Sequence, residues 1–148
     1  MSDRLSKVSV SDVRTAVPAT PGVESGAVTL NEDETPYRAI TMFIGQHEAR
    51  AIHSAWSGQG ARRPSTWDLF VSTIGLLDAR LDRAVITAVE EARHFFANIE
   101  LERDGERRVL PARPSDAIAL ALRAFGAEIY VAEQVFVDLG LIAPEIDN

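Results

Sequence analysis

From Ala117 to Leu122 the chain runs apolar without a break, and Arg113, Pro114, Ser115 and Asp116 stand directly before it. A segment apolar on every side predicts a helix buried in the core rather than one lying on a surface. Proline at the first helical position with an acid two residues later is an ordinary helix start. The rest of the chain is patterned on one face only. Val8, Val10 and Val13 alternate roughly with polar residues and predict a half-buried strand. ATPG (19–22) predicts a turn, residues 23–30 a second strand, NEDETP (31–36) a turn, and YRAITMFIG (37–45) a third, more central strand. Ala49, Ile52, His53 and Trp56 recur at helical spacing, so residues 46–58 predict a helix bounded by glycines. Residues 65–77 predict another, with Leu69, Phe70, Ile74 and Leu77 facing the core and Ser65 and Asp68 forming a capping box.

The second half repeats the strand signals. Residues 83–89 and 94–102 predict strands, and RDGE (103–106) predicts a hairpin turn because Asp-Gly supplies positive φ. Residues 107–112 return, the helix of the opening stretch follows, 128–131 is a short strand, and 133–140 a last short helix stopped by Gly140. The first three strands suggest an antiparallel meander, and mostly hairpin-linked strands with three or four helices packed on them define an α+β class. At 148 residues the chain predicts one domain over residues 1–148, with a core at about 8–142 and a short acidic tail. That length suffices to bury about 70% of the surface its unfolded form exposes.

Composition narrows the function classes. Cysteine is absent, which removes disulfides, thiolate metal sites and cysteine nucleophiles. No apolar run reaches membrane-spanning length and the first twelve residues lack a signal-peptide core, so a soluble, cytoplasmic protein with no membrane partner is expected. The net charge of −7 is unevenly spread: residues 1–35 carry −3, residues 36–126 carry +1, and residues 127–148 carry −5. A nucleic-acid binder usually shows a basic footprint, and here only the local pairs Arg62–Arg63 and Arg107–Arg108 offer one.

No phosphate-binding glycine loop, dinucleotide fingerprint, zincin helix or nucleophile elbow occurs. Of the three histidines, His53 lies on an apolar helix face and predicts a core residue, His94 begins a strand, and His47 sits exposed in the first turn of its helix. What stands out is a set of polar groups at three helix starts: Gln46, His47 and Glu48; Arg62, Arg63 and Asp68; Arg113, Ser115 and Asp116. Helix N-termini attract anions, carboxylates hold divalent ions, and arginines clamp phosphates. If the three starts converge, Glu48, Asp68 and Asp116 supply carboxylates, and Arg63 and Arg113 supply phosphate ligands. Each residue also has a plain structural role: Asp68 as a cap, Asp116 as an N-terminal acid, Arg113 as its ion-pair partner.

Several stretches together resemble the bifunctional nuclease (BFN) domain family of bacteria and plants. They are IGQHEARAI (44–52), RRPSTWDL (62–69), HFFANIEL (94–101), LPARPSDAIALALR (110–123) and EIYVAEQVF (128–136), so the resemblance spans about residues 8–142. It implies a compact α+β domain with a strongly bent, mostly antiparallel sheet and flanking helices, self-associated as a homo-oligomer, and a nuclease acting on DNA and RNA. The family's marked positions fall here on Glu48, Asp68, Arg113, Ser115 and Asp116. Relatives commonly carry histidine before the aspartate in a T-H-D-L pattern, where this chain has Thr66, Trp67, Asp68 and Leu69. An imidazole that can shuttle protons is thus replaced by an indole that cannot. The segment VEEARH (89–94) also departs from the family's acidic-glycine turn and predicts a longer or irregular hairpin.

Two readings follow. In the first, Glu48, Asp68 and Asp116 are catalytic carboxylates that bind Mg2+ or Mn2+, while Arg63, Arg113 and Ser115 hold the phosphate of RNA or DNA. In the second, the chain is a non-catalytic, oligomeric interaction or regulatory module binding an anion or a partner in the same cleft, as Trp67 and the negative charge suggest.

Overall fold

A computed structural model describes residues 4–16, 26–60 and 62–141. The elements in chain order are β1 (Leu5–Arg14), β2 (Gly26–Glu32), β3 (Ala39–Ile44), α1 (Gln46–Trp56), α2 (Thr66–Leu76), β4 (Arg80–Glu90), β5 (His94–Arg103), β6 (Glu106–Ala112), α3 (Pro114–Ala121), β7 (Glu128–Ala132) and α4 (Glu133–Asp138). The ATPG turn, the start expected for the second strand and the acidic tail lie outside the described residues. No helix among the described residues is long and apolar enough to cross a membrane.

The seven strands form one curled sheet in the order β3-β2-β1-β7-β4-β5-β6. It is α+β and mostly antiparallel, as expected, and the first three strands form the expected antiparallel meander. β1–β3 and β4–β6 are separate antiparallel meanders, and β7 joins them, antiparallel to β1 and parallel to β4. A parallel pair needs a long crossover, and here the crossover contains α3. Register shifts at Val10/Asp12, Leu81/Arg83 and Ile86/Ala88 add local bends to β1 and β4. The first also explains the irregular spacing of the β1 valines. The extra residue returns Val13 to the buried face occupied by Val8.

α3 fills the hollow of the curl. Ser115 and every residue from Ala117 to Ala121 are buried. The alternating alanines let it pack against β4, β5, α1 and α2 at once, which is why the run reads apolar on all sides. α1 buries Ala49, Ala51 and Ile52 against β2 and α3. The expected face is rotated. Trp56 is exposed and His53 only half-buried, with its ring edge-on to Trp56 at 6.1 Å, so His53 is not a core residue. Gly26 permits the close seating of α1, since a Cβ there would lie 2.5 Å from that of Ala49.

α2 packs through Trp67, Phe70, Val71 and Ile74, one helical face at i, i+3, i+4 and i+7. Leu69 and Leu77, expected in the core, point outward. The β4–β5 connection is short and irregular: Glu91 and Ala92 take φ of 53° and 58°, a left-handed conformation unusual without glycine.

Candidate functional site

The first turns of α1 and α3 are brought together because the two helices pack on each other. At α1 the N-cap is Gly45 in extended backbone. A Cβ at that position would fall where Glu48 Oε2 sits. Glycine therefore leaves the space into which the Glu48 carboxylate folds back over the start of its own helix. At α3 the N-cap is Arg113, followed by Pro114, Ser115 and Asp116. Arg113 Nε donates to Asp116 Oδ2 at 3.0 Å, and its Nη2 lies 3.6 Å from Glu48 Oε1. One guanidinium thus joins the two helix starts through two carboxylates. Asp116 and then Glu48 hold the Arg113 pKa above its ordinary value. The Arg113 side chain remains 64% exposed, so it is paired but reachable.

Trp67, in the first turn of α2, completes this group. Its indole N–H donates to Asp116 Oδ1 at 3.1 Å, and the His47 ring lies 5.8 Å from it, tilted by 48°. At the position where histidine was expected, the indole positions Asp116 and cannot exchange a proton with it.

Two cavities flank Arg113. One, about 410 Å³, is lined by Gly45, Glu48, Arg113 and the buried Ser115, and faces Arg93, His94 and Phe96 across the mouth of the sheet. The other, about 520 Å³, is walled by His47, Trp67, Phe70 and Leu110, with Arg113 and Asp116 at its polar side. The first is the better anion site. Two helix starts and two arginines face it against a single carboxylate.

Asp68 and Arg63 stand elsewhere. Asp68 is the third helical residue and closes a capping box with Ser65. Its Oδ2 accepts from the Ser65 backbone amide at 2.7 Å, and its own amide donates to the Ser65 hydroxyl at 3.2 Å. Its Oδ1 accepts from Arg123 Nε at 3.0 Å. The Ser65 amide and hydroxyl, then Arg123, hold its carboxyl below the usual range. Arg63 lines a third cavity, about 590 Å³, together with Arg62, Asp68 and Arg123. The six expected site residues are therefore divided. Glu48, Arg113, Ser115 and Asp116 meet at the starts of α1 and α3, while Arg63 and Asp68 meet on the other side of the first turn of α2. Among the described residues no three His, Asp or Glu side chains come together as a metal cage.

Arg123 was not read from the sequence. Its signal is an arginine four residues after Ala119, just past the end of an apolar helix. Its side chain is 10% exposed and donates to Ala119 O at 2.8 Å, Ala51 O at 2.9 Å and Asp68. It ties α1, α2 and α3 together.

A curled mixed sheet around a buried helix, with polar groups of three helix starts at its mouth, defines the class of domain. The bifunctional nuclease domain model matches residues 28–143, and the chain belongs to that family. The chain is also 36% identical over 118 residues to uncharacterized protein MT1877 of Mycobacterium tuberculosis (strain CDC 1551 / Oshkosh), covering 80% of this chain and 69% of that protein. Uncharacterized protein Rv1829 of Mycobacterium tuberculosis (strain ATCC 25618 / H37Rv) matches with the same identity and coverage.

Proposed function

We propose that this chain is a nuclease that hydrolyses phosphodiester bonds of RNA and DNA, with the scissile phosphate seated in the cavity at the starts of α1 and α3. The observation that carries the reading is that cavity itself: Arg113 and Ser115 on one wall, Arg93 and His94 on the other, and Glu48 at the floor. Arg113 exchanges its carboxylate partners for a phosphate oxygen and stabilises the charge that develops on it. The Ser115 hydroxyl, in the first turn of α3, is a second donor toward the phosphate. Trp67 holds Asp116 against rotation while Arg113 moves.

Glu48 and Asp116, which share Arg113, fit the one or two carboxylates that Mg2+ or Mn2+ uses when substrate phosphate and water complete its shell. Asp68, committed to Ser65 and Arg123, fits that shell less well. When bound, the ion would supply a water of lowered pKa and neutralise phosphate charge.

The test is cleavage of single-stranded RNA and DNA by purified protein with Mg2+ or Mn2+. Asp116→Asn is expected to abolish cleavage and to move the melting temperature by no more than about 3 °C, the scale of a change near 1 kcal/mol. Equal loss of fold and activity would assign Asp116 a structural role. One observation favours a second reading, a non-catalytic module that binds an anion or a partner in the same cleft: an indole replaces the expected imidazole beside Asp116. Calorimetry separates the two. Absence of divalent-ion binding together with absence of cleavage would exclude the nuclease.

A further inference from the structure

Arg62 and Arg63 precede the capping box of α2 and are exposed. Among the described residues neither has a side-chain hydrogen bond or an ion pair. Most other described arginines are paired with carboxylates, as Arg38, Arg80, Arg107 and Arg113 are. Two adjacent exposed arginines without acid partners make a local positive patch in an otherwise acidic chain, able to attract an anion to the cavity they line. The cavity of about 590 Å³ that they line is large enough for a phosphate with its ester substituents. Its far wall is Arg123, fixed by three acceptors, and its single acid is Asp68, already satisfied by Ser65 and Arg123. The lining therefore sums to two positive charges. It shares no residue with either cavity beside Arg113.

The geometry points to a second phosphate-binding site, formed by Arg62, Arg63 and Arg123, that holds a backbone phosphate of the strand whose scissile phosphate lies at Arg113. The assignment of the strand rests on the nuclease reading; the affinity for a phosphate group does not. The first turn of α2 divides the two sites. Trp67 faces the Arg113 side and the next residue, Asp68, faces the arginine side. A nucleic acid strand that passes over this turn would contact Arg113 before it and the arginine pair beyond it.

The experiment measures binding of a fluorescent single-stranded oligonucleotide in EDTA across a salt series, with inorganic pyrophosphate as a competitor. Compared are the unchanged protein, the double variant Arg62→Ala/Arg63→Ala, and Arg50→Ala. Arg50 is an exposed arginine of α1 that does not line the cavity. The double variant is expected to bind on the order of tenfold more weakly at low salt. Its log–log salt slope should fall by about 0.7 to 1.4, one or two single-strand phosphate contacts. Arg50→Ala should match the unchanged protein. Melting curves of all three should coincide, because the altered side chains are exposed. Pyrophosphate binding that the double variant loses, with unaltered oligonucleotide binding, would overturn the strand and leave a free phosphate compound as occupant. Equal weakening by Arg50→Ala, or no loss for either ligand, would overturn the site. If the protein neither binds a divalent ion nor cleaves in the separate assay with Mg2+ or Mn2+, yet the slope difference is seen in EDTA, the nuclease reading fails and this site stands.

Discussion

Arg38 shows how much one residue can hold in place. Its guanidinium is 8% exposed and bridges Glu32 at 2.7 Å and Glu133 at 2.7 Å, while covering the Phe136 ring at 4.0 Å. It thereby fastens the β2–β3 hairpin to α4 at the far end of the chain. Burial alone would push the Glu32 carboxyl up, but the Arg38 side chain and backbone amide more than reverse this, so it stays below its ordinary value. Glu133 is lowered chiefly by its hydrogen bond to Arg38. Both groups are carboxyls with depressed folded-state pKa values. Their contribution is complete above their ordinary value of 4.5 and is lost as pH falls through the lowered values. Arg38→Met keeps the apolar stem but leaves Glu32 buried without a cation, at a cost of about 3–5 kcal/mol. Melting at pH 7 should fall by roughly 10 °C, at about 2–4 °C per kcal/mol. In the variant, burial raises the Glu32 pKa, so acid relieves the penalty. The gap between the two proteins should close as pH approaches 4. A gap that stays constant from pH 7 to pH 4 would show that lost packing over Phe136, not the stranded carboxylate, sets the cost.

At the level of elements, α2 has the weakest seat and the most consequential position. None of its residues is fully buried, yet its first turn presents Trp67 to Asp116 and Asp68 to Arg123. The capping box is what fixes that turn, and it was readable in the sequence as Ser65 and Asp68 three residues apart. Ser65→Ala removes the hydroxyl that meets the Asp68 amide and should cost about 1 kcal/mol, near 3 °C in melting temperature. The effect should be local. Amide exchange in the first turn of α2 should quicken while β4 and α3 stay protected, because an exposed helix end opens without global unfolding. Uniform loss of protection would mean that α2 and the core unfold as one unit. The elements themselves were largely legible, since strand alternation, the Asp-Gly hairpin and the apolar run of α3 are local signals. Three features were not. The seating of β7 between two meanders depends on a crossover that no local pattern encodes. The turn of α1 that exposes Trp56 depends on Gly26 admitting Ala49. Leu69 and Leu77 read as core residues because spacing cannot tell which side of a helix has a partner. For the candidate site, the sequence could name polar residues at three helix starts but not their arrangement, since their division by the first turn of α2 depends on tertiary packing.

Across the whole molecule the apolar surface is unevenly placed. Leu69 and Leu76 on α2 and Leu77 at its C-cap are 61%, 84% and 58% exposed, and Val109 and Leu110 on the edge strand β6 are 54% and 45% exposed. Phe70 and Leu110 border one cavity, so α2 and β6 lie at neighbouring parts of the surface. Three exposed leucines between positions 69 and 77 mark an interaction surface more than a scatter of single apolar residues would. The β6 edge is ill suited to strand addition. Pro111 lacks an amide, and Glu106, Arg107 and Arg108 place charges along it. Contact through the leucines of α2 is the alternative, and a second copy of this chain presents the same apolar face, as a two-fold interface requires. Sedimentation is therefore expected to show concentration-dependent self-association, and Leu69→Lys/Leu76→Lys is expected to shift the protein to monomer. Both leucines are already exposed, so the melting temperature of the monomer should change little. The salt slope of oligonucleotide binding should rise, since the two lysines flank Ser72, which lines the Arg62–Arg63 cavity. A protein that is monomeric at every concentration before substitution would leave the α2 leucines to a different partner, and the Arg113 site would then have to function within a single chain.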